Sequence, residues 1–255
     1  MDMVMQKPKE KSWIRYIKSR IANNKNFLGF VGGPTGSGKS WCSLRIGEEL
    51  DPEFNIDRVV FNGVELMTLI NSGKLGSGSV IVFEEAGVEM SAKNWQSIVN
   101  KMLNYLIQTF RHKRFILIFN SPYMDFVDAS TRKLFHAEMT TVSIDKKKSQ
   151  VKLKPQLSQY NSKYKKFYWK YLRVVTKDGV LPVRIWSVDR PSELLLKQYE
   201  QKKTEFTSKL NKNILEELKN HKKKKEKFTC KKCGYAWYTR IDVPTVCPEC
   251  RKNPY

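Results

Sequence analysis

Residues 27–40 read Phe27-Leu28-Gly29-Phe30-Val31-Gly32-Gly33-Pro34-Thr35-Gly36-Ser37-Gly38-Lys39-Ser40. The apolar run Phe27–Val31 has the composition of a strand buried on both faces. It feeds directly into Gly33-x4-Gly38-Lys39-Ser40, and residues 41–50 then carry a helical pattern stopped at Asp51-Pro52. Strand, glycine-rich turn and helix in that order make a phosphate-binding loop. The glycines let the backbone curl so that several N–H groups converge on phosphate oxygens, and the start of the helix adds a field that favours anions. Gly33, Pro34, Thr35, Gly36, Ser37, Gly38, Lys39 and Ser40 are therefore expected to hold ATP, with Lys39 at the β- and γ-phosphates and Ser40 on Mg2+.

The pattern continues on both sides of the loop. Trp13, Ile14, Ile17 and Ile21 recur at helical spacing, which predicts a helix over 12–22. Arg58–Phe61 reads as a second strand, Val64–Ile70 as a short helix and Val80–Phe83 as a third buried strand. Trp95, Ile98, Val99, Met102, Leu103, Leu106, Ile107 and Phe110 form one continuous apolar stripe, expected to be a core-facing helix. Phe115–Phe119 is the next strand and ends at Asn120-Ser121-Pro122. Strands alternating with helices predict an α/β fold, a parallel sheet flanked by helices.

Val80–Phe83 ends in Glu84-Glu85, two carboxylates at the tip of a buried strand. Burying charge is costly unless something offsets it, and a magnesium ion would do so. Glu84 is the expected Mg2+ partner and Glu85 the expected general base that polarises the attacking water. The alternative is a pair of solvated loop acids. Asn120 is placed to orient that water or to sense the γ-phosphate, or else it is a plain turn residue before Ser121-Pro122. Arg111 and Arg114 precede the last strand. They read either as arginine fingers reaching a neighbouring subunit's nucleotide or as a solvated basic patch at a helix end.

Three runs together, VIVFEEAG at 80–87, QTFRHKRFILIFNSP at 108–122 and DASTRKLFHAEM at 128–139, resemble the FtsK–HerA group of P-loop ATPases. More narrowly they are similar to the zonular-occludens-toxin-like (Zot-like) ATPases of viruses and plasmids, over roughly residues 12–140. The group usually has Asp where Glu84 stands and often Gln where Asn120 stands. The resemblance implies a RecA/ASCE-like sheet, a homo-oligomeric and often hexameric ring, and work on DNA or in virus assembly and export.

Charge divides the chain. The whole carries +22, with 47 Lys+Arg against 25 Asp+Glu. Residues 146–227 hold 24 Lys+Arg and 8 Asp+Glu, a net +16, while 1–145 and 228–255 carry +3 each. The expected zones are a P-loop core (1–145), a basic hairpin-plus-helix extension with a lysine-rich linker (146–227) and a small cysteine-bearing tail (228–255). In the middle zone, Lys166–Val175 and Val180–Val188 flank the turn signal Lys177-Asp178-Gly179 and predict a hairpin. Residues 141–227 could either complete the main sheet or form a separate module. A concentrated positive field points to a polyanion, with DNA favoured among nucleic acids, although lysine also serves solubility. No apolar run reaches the roughly 20 residues of a membrane span, and Met1–Trp13 lacks an apolar signal core. The expected compartment is the cytoplasm, that of an infected host if the viral resemblance holds.

Cys230-x2-Cys233 and Cys247-x2-Cys250 are separated by 13 residues. Two such pairs close a tetrahedral four-thiolate site for Zn2+, similar to a zinc ribbon, and the alternative is two disulfides. Gly234 and Pro248 fall where the two knuckles need tight turns, and Tyr235, Trp237 and Tyr238 are expected to pack on the site. The ribbon would meet nucleic acid or dock on a protein. Cys42 reads as a small buried apolar residue.

The function expected from these features is an ATP-hydrolysing motor that translocates, packages or remodels viral or plasmid DNA. The alternatives are an assembly or export ATPase acting on protein or membrane, and a nucleotide-controlled regulator.

Overall fold

The computed structural model describes residues 11–84, 113–127, 129–177, 179–223, 227–238 and 244–255. The expected stripe helix over residues 95–110, together with Glu85 and Arg111, lies outside the described residues. The chain divides into two units, Met1–Lys203 and Thr204–Tyr255.

In the first unit, α1 (Ser12–Ala22) leads to β1 (Phe27–Gly32), the glycine-rich loop and α2 (Lys39–Leu50). Next come β2 (Val59–Val60), α3 (Gly63–Asn71), β3 (Val80–Glu84) and β4 (Ile116–Ser121). The rest is β5 (Ala137–Asp145), β6 (Gln150–Asn161), β7 (Lys166–Lys170), β8 (Arg173–Thr176), β9 (Gly179–Pro182) and β10 (Trp186–Asp189). The helix α4 (Glu193–Lys223) starts in the first unit and ends in the second, which also holds β11 (Lys227–Thr229) and β12 (Ala236–Tyr238).

The main sheet has the order β10-β6-β5-β1-β4-β3-β2, with β7 also paired to β6. Strands β5, β1, β4, β3 and β2 are mutually parallel. Every residue of β1, β3 and β4 is buried, as expected of central parallel strands covered on both faces. On one face Phe30, Phe83, Phe119 and Phe135 form an aromatic cluster, with Leu66 and Ile70 of α3 packed against it. α1 and α2 pack together, and α2 also packs on β1, β3 and β4.

Strands β6, β7 and β10 complete this sheet in antiparallel fashion. β6 pairs with β5, β7 and β10, and the burial of β5 and β6 alternates, so only one face is covered there. The expected hairpin forms over a shorter span than the sequence predicts. β8 and β9 pair with each other, Thr176 opposite Gly179, but Lys166–Lys170 and Trp186–Asp189 are drawn onto β6 instead. A long partner strand already fixed in the sheet offers those residues a ladder that an isolated hairpin lacks.

One buried ion pair fastens the parallel half. Asp51, which caps the end of α2, binds the Arg58 guanidinium and also accepts the backbone N–H of Val80 at 2.9 Å. It thereby ties α2, the approach to β2 and the first residue of β3. No helix among the described residues is long and apolar enough to cross a membrane.

Candidate nucleotide and metal sites

The loop after β1 is held in shape by β5 and β6. Gly33 has φ +141 and Gly38 has φ +90, conformations that side chains rarely adopt. A Cβ at Gly33 would also strike the Thr141 hydroxyl, and one at Gly38 would strike Val151. Thr141 reaches the loop where β5 shifts register against β6, between Thr141 and Ser143. Its hydroxyl bonds the Gly32 carbonyl at 3.1 Å and the Ser37 hydroxyl at 2.7 Å. Lys39 lies at the head of α2, and its Nζ donates to the carbonyls of Gly33 (2.7 Å) and Pro34 (2.9 Å). Burial lowers the Lys39 pKa, Glu84 opposes that shift, and Lys203 adds to it.

The carboxylate faces the same pocket. Because β4 lies between β1 and β3, Asn120 stands in register with Val31 on one side and Glu84 on the other. Asn120 Nδ2 donates to Glu84 Oε1 at 2.6 Å, and Ser43 Oγ of α2 donates to Asn120 Oδ1 at 2.5 Å. The amide is thus held at both ends, which fixes its orientation. Glu84 is only 7% exposed, and burial raises its pKa against the opposing effects of Asn120, Lys203, Ser40 and Lys39. The donors meeting here, a hydroxyl and a carboxylate, are the all-oxygen set that Mg2+ takes, so the residues fit that ion.

Two further side chains enter from α4. Tyr199 Oη donates to Ser40 Oγ at 2.9 Å, and Lys203 Nζ donates to Tyr199 Oη at 3.2 Å. Lys39, Ser40, Glu84, Asn120, Tyr199 and Lys203 line one cavity of about 550 Å3, and Trp41 and Ile144 line it as well. Sequence reasoning missed Ser43, Thr141, Tyr199 and Lys203. Tyr199 read only as one position of an apolar stripe, and nothing near the loop motif points to a helix 159 residues away.

The other expected residues fall elsewhere. Arg114, with φ 54, precedes β4 at the end of the strand opposite Asn120, and its guanidinium donates to Asn24 Oδ1 at 2.8 Å. It is not brought to the pocket of its own chain. Cys42 is fully buried, and burial pushes its thiol pKa up to about 12, in keeping with an inert apolar role.

In the second unit the Sγ atoms of Cys230, Cys233, Cys247 and Cys250 lie within 4.8 Å of one another. Cys230 and Cys250 are 3.8 Å apart, and Cys233 and Cys247 are 3.6 Å apart. Four thiolates bound tetrahedrally at about 2.3 Å sit about 3.8 Å apart, whereas a disulfide needs about 2.05 Å. The cluster therefore fits zinc and not disulfides. Each knuckle closes alike: Gly234 N–H donates to the Cys230 carbonyl and Arg251 N–H to the Cys247 carbonyl, both at 2.9 Å. The left-handed residues are Gly234 (φ 72) and Arg251 (φ 55), and Pro248 lies within the second turn, between Cys247 and Arg251. Trp237 packs against Phe228 and Tyr235, while Tyr238 is exposed.

No protein-family model matches the chain, and no curated protein does. Among solved structures it is similar to a variant of RuvB from Thermotoga maritima, at 16% identity and a TM-score of 0.37 over 53% of this chain and 45% of that one. It is similar to the N-terminal domain of zonular occludens toxin from Neisseria meningitidis, at 13% identity and 0.34 over 62% and 100%. It is also similar to the DnaC helicase loader, at 18% identity and 0.27 over 50% and 77%. The chain thus spans less than half of the RuvB chain it matches, and all three likenesses are remote. The strand order carries the assignment: with β4 between β1 and β3, a phosphate loop after β1 and a carboxylate ending β3, the first unit has the α/β fold of P-loop NTPases.

Proposed function

We propose that the chain is a Mg2+-dependent ATPase that uses turnover to move or remodel nucleic acid, DNA in the first place. The observation that carries this reading is the convergence of Lys39, Ser40, Glu84 and Asn120 on one pocket, with the carboxylate buried and bonded to the fixed amide. Gly33–Gly38 and Lys39 would cradle the phosphates, and Trp41 and Ile144 offer an apolar wall for the base. Ser40 and Glu84 would hold Mg2+, which supplies positive charge to the phosphate oxygens when bound. The Asn120 amide, clamped by Ser43, would orient the attacking water, and Glu85, next in the chain after Glu84, is proposed as its general base. Arg111 and Arg114 are proposed to act on a neighbour's nucleotide in a homo-oligomeric ring, in keeping with the Zot-like resemblance.

The nucleic-acid part of the reading is supported by charge and by the β6–β7 edge. Tyr164, Tyr168 and Trp169 are exposed there among Lys163, Lys165, Lys166 and Lys170. Aromatic faces between cations suit bases and phosphates together. The four-cysteine cluster would hold Zn2+ and stabilise a ribbon too small to fold on its own core.

The test is the ATPase rate of the full chain at low salt with and without single- and double-stranded DNA, beside DNA gel shifts and anionic-liposome co-sedimentation. DNA should stimulate turnover, and Lys39→Ala should abolish it. Full activity in Lys39→Ala would sink the pocket assignment. A rate indifferent to DNA, with binding to liposomes alone, would favour the assembly or export alternative.

A further inference from the structure

Two neighbouring lysines of α4 do different work. Lys202 Nζ donates to the backbone carbonyls of Val59 (2.6 Å) and Ile56 (3.3 Å), so it fastens the helix to the entry of β2. Lys203 instead lines the nucleotide pocket, and its Nζ donates to Tyr199 Oη one helical turn away. Tyr199 is rigidly placed. It is 4% exposed, its ring stacks on Phe61 with centroids 6.1 Å apart, and its hydroxyl donates to Ser40. Ser40 in turn lines the same cavity as Glu84. The bonds therefore run Lys203 to Tyr199 to Ser40, and end in the cavity that also holds the buried carboxylate of Glu84.

This arrangement places a second ammonium beside the one the loop already carries. Lys203 favours the Glu84 carboxylate and disfavours the charge of Lys39, so the two ammonium groups share one small space. Among the described residues that line the pocket, two ammonium groups stand beside one buried carboxylate. An incoming polyanion relieves their mutual repulsion. The loop, Lys39 and the start of α2 would hold the phosphates of a nucleotide from one side, with Lys39 at the β- and γ-phosphates, whereas Lys203 approaches from α4 beside Tyr199 and Ser40.

We infer that Lys203 binds the terminal phosphate of a nucleoside triphosphate, with Tyr199 as its positioning residue, and so sets the preference of the pocket for triphosphate over diphosphate. This rests on the nucleotide reading of the pocket. The tyrosine restrains the lysine in the free chain and lets Ser40 and Lys203 respond to the nucleotide together, because both bond the same hydroxyl.

The experiment is isothermal titration of the full chain with ATPγS and with ADP, each with Mg2+. Lys203→Ala should weaken ATPγS by about 10- to 100-fold, the range expected for one charged hydrogen bond, and change ADP by less than about threefold. Tyr199→Phe, which keeps the stacking on Phe61, should lose about 3- to 10-fold in the same direction. Lys202→Ala should leave the ratio of the two affinities unchanged. An unchanged ratio in Lys203→Ala would overturn the inference while leaving the nucleotide reading intact. Wild-type chain that bound neither nucleotide would overturn both. If Lys203→Ala did not fold, Lys203→Arg and Lys203→Gln decide the matter: the arginine should keep the preference and the glutamine should lose it, and equal ratios would count against the inference.

Discussion

The nucleotide pocket and the cysteine cluster are both small polar constellations, but they are built by opposite means. The pocket borrows its geometry from a sheet. Ser43 meets Asn120 across 77 positions of sequence, Thr141 meets Ser37 across 104 and Tyr199 meets Ser40 across 159. Each of these bonds exists because parallel strands and their helices are packed through a large buried core. The cluster draws its four sulfurs from residues 230–250, with a two-stranded ladder and a few aromatic neighbours around them. A metal bound there would supply its organising energy. A site of the first kind tolerates removal of one polar group, because the core still stands. A site of the second kind is lost with its ion.

The sharpest way to break this comparison is to take the metal away. Chelation, or Cys230→Ser combined with Cys247→Ser, should unfold the ribbon, since structural zinc contributes on the order of 10–16 kcal/mol in such folds. Metal release read with a chromogenic chelator should show one ion per chain, and Trp237 fluorescence should report the loosened packing. ATPγS affinity should stay within about twofold. If chelation abolished nucleotide binding as well, the two sites would not be independent.

The converse experiment strikes the sheet. Asp51→Ala leaves the Arg58 guanidinium buried without its carboxylate and removes the acceptor of the Val80 N–H. Loss of one partner of a buried pair costs about 3–5 kcal/mol. Urea unfolding followed on the first unit should show it, while the metal content of the ribbon stays unchanged. Equal loss of metal would mean that the ribbon leans on the sheet after all.

Acid should act on the sheet by a more gradual route. His136 Nδ1 accepts the Leu28 N–H at 3.0 Å between β1 and β5, and burial first, then Arg20, pushes its pKa down to about 3 from 6.5. The unfolded chain takes up that proton below about pH 6.5, and the folded chain resists it. The stability involved is therefore fully present above pH 6.5 and is lost as pH falls toward about 3. At about 1.4 kcal/mol per pH unit, this amounts to a few kcal/mol. His136→Gln, which keeps an acceptor but does not titrate, should flatten that part of the stability–pH curve measured by urea unfolding.

How much of this was legible follows the same division. The four cysteines and the loop Gly33–Ser40 announce themselves, because metal knuckles and phosphate turns are local and their spacing is dictated by chain geometry. Strands β1, β3 and β4 were legible because burial on both faces leaves an unbroken apolar run. Glu84 and Asn120 followed from being strand ends, but their hydrogen bond depends on β4 lying between β1 and β3, and strand order is not written in any one segment. Tyr199 and Lys203 were illegible for the same reason. Their roles arise only where α4 meets the loop, and a tyrosine in an apolar stripe followed by a lysine is ordinary helix composition. The hairpin over 166–188 misled because a turn signal reports that two segments can pair, not that a third strand will bind them better.

The smallest effect expected tests a third surface, belonging to neither site. On β6 and β7 the rings of Tyr160 and Phe167 lie 5.1 Å apart and those of Phe167 and Trp169 lie 5.9 Å apart, forming a row with the Lys133 ammonium 4.7 Å from the Tyr160 ring. Trp169 is held by a bond from its Nε1 to Glu138 at 2.8 Å, yet it remains 49% exposed. If that row stacks bases, Trp169→Ala should cost about 1–3 kcal/mol of single-stranded DNA affinity. It should leave ATPγS affinity and metal content unchanged. Lys166→Ala with Lys170→Ala should instead flatten the salt dependence, by about 0.7 in slope for each phosphate that is no longer neutralised. The two readouts separate stacking from charge, which a simple drop in affinity would not. An unaltered salt slope and an unaltered affinity together would move the nucleic-acid contact off the sheet edge and leave the remaining lysines of α4 and the ribbon to account for it.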